Sequence, residues 1–252
     1  MAATTSGKDK LLRNARLFVG AYDLSGDART VGTLENRFEP VDLTGWSEFV
    51  KNFVSDDLRQ VGIRGFQALV NDTTGRAFDI LSNNAAANAH IVSFCFGGGG
   101  EPAVPDPAYL IHSVQILDDM SFDAGSSLIA ADFLPTAANY SATATNPMGV
   151  VLQGATSLSG TTTGSSHDNA ASSANGYHAH IHVLATSSGN FAFTIEHSSN
   201  DSAWATLATF TTTGGSITAE RVTGSGTVNR YVRAVSTRTA GTVTAVITFA
   251  RN

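Results

Sequence analysis

Three histidines, His178, His180 and His182, alternate with Ala179, Ile181 and Val183 in one short segment. On an extended chain they share a face, with neighbours about 6.8 Å apart from the strand rise. An adjacent pair at that spacing can hold a metal ion if another strand supplies further ligands. All three cannot reach one ion without distortion, and no Cys or acid accompanies them locally. The segment therefore reads first as a solvated or intersubunit polar face and only weakly as a metal site.

Other reactive residues carry less. His167 and Asp168 sit among serines, far from any nucleophile-elbow or oxyanion-hole pattern. Asp118, Asp119 and Asp123 lack the glycine-bearing twelve-residue loop with a terminal Glu that a calcium hand requires, and read as an exposed acidic turn. Gly97 to Gly100 is not followed by Lys and Ser or Thr, so it is no phosphate loop. Cys95 lies between Phe94 and Phe96 and reads as a small buried hydrophobe suited to a reducing interior. No base and nucleophile pair stands at a recognisable spacing, so the residues suggest neither an enzyme nor a cofactor.

The elements that must position these residues are mostly strands. Strand patterns run over Arg16 to Tyr22, Thr30 to Val41, Leu58 to Val70, Ile91 to Phe96, Tyr109 to Leu117 and Leu128 to Phe133. Further ones follow at Val150 to Leu152, Tyr177 to Leu184, Phe191 to His197, Ala205 to Phe210, Ile217 to Val222, Val228 to Val235 and Thr242 to Phe249. One helix is expected over about 44–54, where Trp46, Phe49, Val50 and Phe53 fall at i, i+3, i+4 and i+7 behind a Thr44 cap. Turns are expected at Ser25-Gly26-Asp27, Asn71 to Gly75, Ser188-Gly189-Asn190 and Gly214-Gly215. Gly97 to Pro107 reads as a flexible or partner-contacting loop, and Ser157 to Asn175, nearly free of large apolar residues, as a linker or long surface loop. Trp204, between two strands, is expected to seal a core. The economical architecture is mainly β, with a boundary near residue 157 and a β-sandwich after it.

Composition agrees with that class. The 252 residues are 42% hydrophobic but only 14% charged, with Gly, Ser, Thr and Ala in place of Lys and Glu. One cysteine excludes a disulfide framework, no apolar run approaches the roughly 18 residues of a membrane helix, and no signal peptide opens the chain. The net charge of −6 is unevenly laid down. No Lys or Arg lies between Arg76 and Arg221, a stretch holding eleven acids, whereas five arginines and no acid occupy the remainder from Arg221 onward. Such a middle cannot form a phosphate-binding surface, which needs clustered cations. Beyond a plain solvated face, it suits an acidic surface that meets a basic one on the next copy, or a channel that must not bind a polyanion.

The segment LFVGAYDLSGDARTV (Leu17 to Val31), followed by FEPVDLTGWSEFV and VGIRGFQAL, resembles the opening of major tail, or tail tube, proteins of long non-contractile-tailed bacteriophages. AYLIHSVQILDDMSFDAGSSLIAADF is similar to later strands of that domain. TIEHSSNDSAWATLATF with NRYVRAVSTRTAGTVTAVITFAR resembles a module at the end of many such structural proteins. The resemblance implies a tail-tube-type β-sandwich or barrel over 1–156 with one short flanking helix, and a C-terminal β-sandwich module over 157–252. It also implies virion subunits that assemble in the host cytoplasm into rings, usually of six copies, stacked as a tube through which genomic double-stranded DNA passes without specific binding. Partners would be further copies of the chain and the tail tip, tail terminator and tape measure proteins, with no membrane insertion. Asp79, Asp118, Asp119, Asp123 and Asp132 become candidate lumen or intersubunit acids, and Arg13, Arg16, Arg230 and Arg233 candidate intersubunit bases. Met1 to Arg13 and Gly97 to Pro107 would order against an adjacent ring. The second half either decorates the tube, completes its fold, or mimics a second subunit in a trimeric ring. A phage surface or tail-tip module that binds a bacterial glycan through Trp204, Tyr177 or the histidine face is the alternative.

Overall fold

The computed structural model describes residues 14–44, 49–51, 53–82, 89–98, 100–122, 127–135 and 146–252, with the side chains of 38–41, 54–59, 89, 113–120 and 122 left aside. In chain order the elements are β1 (Arg16–Val19), β2 (Tyr22–Asp23), β3 (Ala28–Thr30), β4 (Thr33–Asp42), β5 (Phe53–Leu69), α1 (Ala77–Ser82), β6 (Ala89–Cys95), β7 (Pro107–Phe122) and β8 (Ser127–Pro135). They continue as β9 (Met148–Leu158), β10 (Thr162–Thr163), β11 (His167–Asp168), β12 (Tyr177–Ser198), β13 (Ala205–Thr209), β14 (Thr218–Gly224) and β15 (Tyr231–Arg251). The fold is mainly β, as composition and patterning predict, and every named strand pairing is antiparallel.

In the N-terminal part β5 pairs with β3 and β4 on one edge and with β8 on the other; β8 then leads through β7 and β6 to β1 and β2. In the C-terminal part β12 and β15 pair along nearly their whole lengths, flanked by β13 and β14 beside β12 and by β9, β10 and β11 beside β15. β9 joins the two parts, pairing with β15 and, at Met148 to Val150, with the start of β7. The expected boundary at 156/157 thus falls inside a strand.

Among the described residues three apolar cores result. The first gathers Leu17, Val19, Phe66, Val92, Phe94, Tyr109, Ile111 and Phe133 around α1. The second gathers Ala179, Ile181, Val183, Phe191, Phe193, Ile195, Ile247 and Phe249. A smaller one between them holds Phe18, Cys95, Ala108 and Leu110 from β1, β6 and β7 against Val151, Val246 and Ala250 from β9 and β15. Strands β1, β6 and β7 are therefore covered on both faces. That is why they carry the unbroken apolar runs Leu17-Phe18-Val19 and Tyr109-Leu110-Ile111 instead of an alternation.

Several expectations are corrected. The helix over 44–54 does not form among its described residues: Phe49 and Val50 lie in a bend and Phe53 opens β5. Phe53 pairs with Asp42 and Val54 with Val41, so this region closes a β4–β5 hairpin. Among its described residues the apolar stripe finds no core, since Phe49, Val50 and Phe53 are exposed. The short helix lies instead at α1, where Ala77, Ile80 and Leu81 are buried. Ser188-Gly189-Asn190 is not a turn between strands but an irregularity inside β12, opposite Gly241 of β15. Gly241 has φ +64°, and a Cβ there would collide with the Ser188 carbonyl, so both strands bend together at this point and both halves of each face one core.

The two breaks expected to be loose are tied down. Within Ser157 to Asn175, β10 and β11 pair with β15. In Gly97 to Pro107 the Gly97 N–H donates to Asn14, Phe96 N–H donates to Pro107, Ala103 N–H donates to Asp106, and Glu101 pairs with Arg16. Among the described residues no helix is long and apolar enough to cross a membrane.

One buried hydroxyl holds the β4–β5 hairpin to the rest. Tyr109 of β7 donates to the Glu35 carbonyl and accepts the Gly62 N–H at 2.9 Å. Tyr109→Phe leaves that N–H without this partner in the core and is expected to cost about 1–3 kcal/mol in denaturant unfolding.

Candidate functional site

The two-face burial that shapes β1 and β6 also shapes the first half of β12. Ala179, Ile181 and Val183 fill the C-terminal core, so His178, His180 and His182 face the other way, onto β1 and β6. All three are buried, with His180 and His182 at 0% exposure. The expected solvated or intersubunit face is therefore corrected: these imidazoles form a seam between two parts of one chain. The alternation was right, but polarity does not mean exposure when the facing strands offer hydrogen bonds.

The seam has a directed hydrogen-bond order. His182 Nδ1 lies 2.6 Å from the Gly20 carbonyl, which only accepts, so Nδ1 carries the proton. In the neutral ring Nε2 must then accept, and its partner is Ser93 Oγ at 2.8 Å. Ser93 has a single proton, so it accepts from His180 Nδ1 at 3.1 Å and from Thr248 Oγ1 at 3.1 Å. This leaves His180 Nε2 as a buried lone pair with no hydrogen-bond partner, and both nitrogens of His178 are likewise without one of normal geometry, although Asn252 lies beside that ring. The rings sit 5.9 Å (His178 to His180) and 6.2 Å (His180 to His182) apart, and Phe18 lies against His182 at 5.5 Å.

Electrostatics keep the rings neutral. Burial, reinforced by Arg221, pushes His178 down to about 3. Burial pushes His182 to about 4 despite the Gly20 hydrogen bond. His180 falls well below its ordinary value, from burial first and then from neighbouring His178, His182, Arg221 and His112. Among the described residues no three His, Cys, Asp or Glu side chains are placed to hold a metal ion.

The remaining candidates are dispersed. Asp79 of α1 accepts the Gly75 N–H at 2.7 Å, and Asp132 of β8 accepts the Gly65 N–H at 2.6 Å and pairs with Arg64. Asp118 and Asp119 lie in β7 beside β8, and Asp123 and Arg13 fall outside the described residues. Arg16 pairs with Glu101, and Arg230 binds both oxygens of Asp168 at 2.7 and 2.6 Å, holding that carboxyl down at about 2. Arg233 pairs with Glu196 at 2.7 Å and lies over Trp204, 4.0 Å from the ring centroid. Trp204 thus sits at the surface beneath a guanidinium and does not seal a core. Cys95 is buried, as expected, and its thiol is pushed up by burial. The seam residues that sequence reasoning missed are Ser93, Thr248, His112 and Arg221. Ser93 alone left a signal, a hydroxyl inside the run Ile91 to Phe96.

Two outcomes follow from this chemistry. Ser93→Ala removes the acceptor and donor shared by His180, His182 and Thr248 and is expected to cost about 1–3 kcal/mol by chemical denaturation. The unfolded chain takes up protons near the ordinary histidine value of 6.5 while the folded seam resists them down to about 3 to 4. Stability is then complete above pH 6.5 and lost as pH falls toward 4, by up to about 1.4 kcal/mol per pH unit for each histidine. Denaturation midpoints measured between pH 7.5 and 4.5 check the direction.

No protein-family model, curated protein or solved structure matches this chain.

Proposed function

We propose that the chain is a structural virion subunit that assembles with copies of itself into stacked rings, forming a phage tail tube through which DNA passes. The observation that carries this reading is the end of the β4–β5 hairpin. Leu43, Phe49, Val50 and Phe53 are 61%, 105%, 73% and 57% exposed, in a chain that buries most of its other large apolar residues. Isolated apolar residues on a surface mean little, but a cluster at the tip of a projecting hairpin suits a contact made after folding. Beside it β4, ten residues long, pairs only with β5 among the described residues, so one edge remains open to a strand from another copy. The resemblance of the opening and closing segments to tail tube proteins points the same way.

Charge supports the conduit. The eleven acids between Arg76 and Arg221 meet no cation from their own stretch; Glu101, Asp132, Asp168 and Glu196 pair with arginines from outside it, so only part of that charge is left to keep a conduit from retaining phosphates. The arginines Arg16, Arg230 and Arg233 are already paired within the chain, so apolar contact and strand edges, more than these cations, join the copies in this reading. The glycan-binding alternative draws less support: Trp204 is covered by Arg233, and Tyr177 is buried with its hydroxyl donating to Leu207 at 2.9 Å.

Electron microscopy and sedimentation of the purified chain test the proposal. Rings or hollow tubes are the expected outcome, and F49D/V50D is expected to leave a folded monomer that no longer assembles. A wild-type chain that stays monomeric at high concentration under all salt conditions overturns it.

A further inference from the structure

We propose that the histidine seam is an acid-operated latch: on protonation, the β12 face bearing His178, His180 and His182 parts from β1 and β6 while the cores on either side stay folded. This does not depend on the tube reading. Three features of the molecule carry it.

The first is the distribution of apolar packing. Among the described residues the N-terminal core is built wholly from residues 15–133 and the C-terminal core wholly from 152–249, so neither needs the other's side chains. The middle core has only seven buried members, two of them alanine and one the single cysteine. Where it ends, the contact between the two parts is polar. β9 keeps them joined, through three residue pairs with β7 and a longer ladder with β15, and so acts as the hinge edge.

The second is the proton order. His182 uses its one proton on Gly20 and its one lone pair on Ser93. A second proton on Nε2 points at the Ser93 proton, so that bond must break. Ser93 can accept from His182 instead only by turning its own proton onto Thr248 Oγ1, which strips the Thr248 hydroxyl of its acceptor in the seam. The bare His180 Nε2 gains a proton with no hydrogen-bond partner in place to receive it, and the His178 ring, on gaining one, has only the Asn252 side chain beside it.

The third is what faces the rings. β1 offers Phe18 and the Gly20 carbonyl, neither titratable. β6 offers Ser93, with His90 and Cys95 nearby, and β7 offers His112, itself held below its ordinary value by burial and by Arg221. β14 places Arg221 opposite His180 in register. β9 and β15 contribute Val151, Val246, Thr248 and Ala250, while Arg251 points to the Ala171 carbonyl. The neighbouring carboxylates are engaged elsewhere: Asp23 by Ser25 N–H and Arg16, Asp106 by Ala103 N–H, and Glu220 by the N–H groups of Thr211 and Thr212. Among the described residues, new positive charge therefore meets Arg221 and other imidazoles with no anion hydrogen-bonded to the rings, and relief comes from admitting water.

Cys95 lies in the middle core and reports on opening. The full chain is mixed with 4,4′-dithiodipyridine, which reacts with thiols in acid, at steps from about pH 7.5 to about pH 4, while far-UV circular dichroism is followed. Labelling of Cys95 is expected to accelerate at least about tenfold below pH 6.5 with strand signal unchanged. H182Q, which cannot take up the proton, is expected to move that onset to lower pH, and H197Q, outside the seam, to leave it in place. The wild-type titration decides the matter even if H182Q does not fold. Cys95 that stays closed to pH 4 in folded protein, or that opens only together with loss of the strand signal, overturns the latch.

Discussion

A sheet covered on both faces has no water to satisfy its polar groups, and that constraint governs this molecule. β1, β6 and β7 stand between two layers, and so does the first half of β12. Every side chain there must be apolar or find its partner inside the protein. Most comply by being apolar. Among the exceptions, His178, His180, His182, Ser93 and Thr248 are gathered in one place, and a single serine hydroxyl links His180, His182 and Thr248, so the seam is specified by hydrogen-bond direction as much as by shape.

This arrangement gives the chain two unequal kinds of contact. Large apolar cores hold each part together, while a thin apolar patch and a neutral histidine layer hold the parts to each other. Neutral imidazole serves that role only while it remains neutral, because burial raises the energy of the charged form far more than that of the neutral one. A leucine in the same place would pack without a condition attached.

The outer surface follows a different rule. Its arginines pair locally, Arg230 with Asp168, Arg233 with Glu196 and Arg64 with both Glu35 and Asp132, stapling neighbouring strands. The exposed large apolar residues are concentrated at the β4–β5 hairpin end, the feature from which the assembly reading is built.

Strand positions were legible because period-2 alternation and short apolar runs are local properties of the chain: all thirteen expected segments lie wholly or mostly within observed strands, Val228 to Val235 entering β15 only from Tyr231. The stripe of Trp46, Phe49, Val50 and Phe53 misled because helical spacing expresses a helix only when a core receives it, and β4 and β5 here continue their ladder to its edge. Ser188-Gly189-Asn190 has turn chemistry, yet the matching irregularity at Gly241 lets both strands bend without parting. By itself, then, the sequence determined class, strand content and the alternation that puts three histidines on one face. Only the tertiary structure decided that this face is buried and what it touches, because Gly20, Ser93 and Thr248 are distant in the chain and burial is a property of how layers stack, which no local pattern encodes.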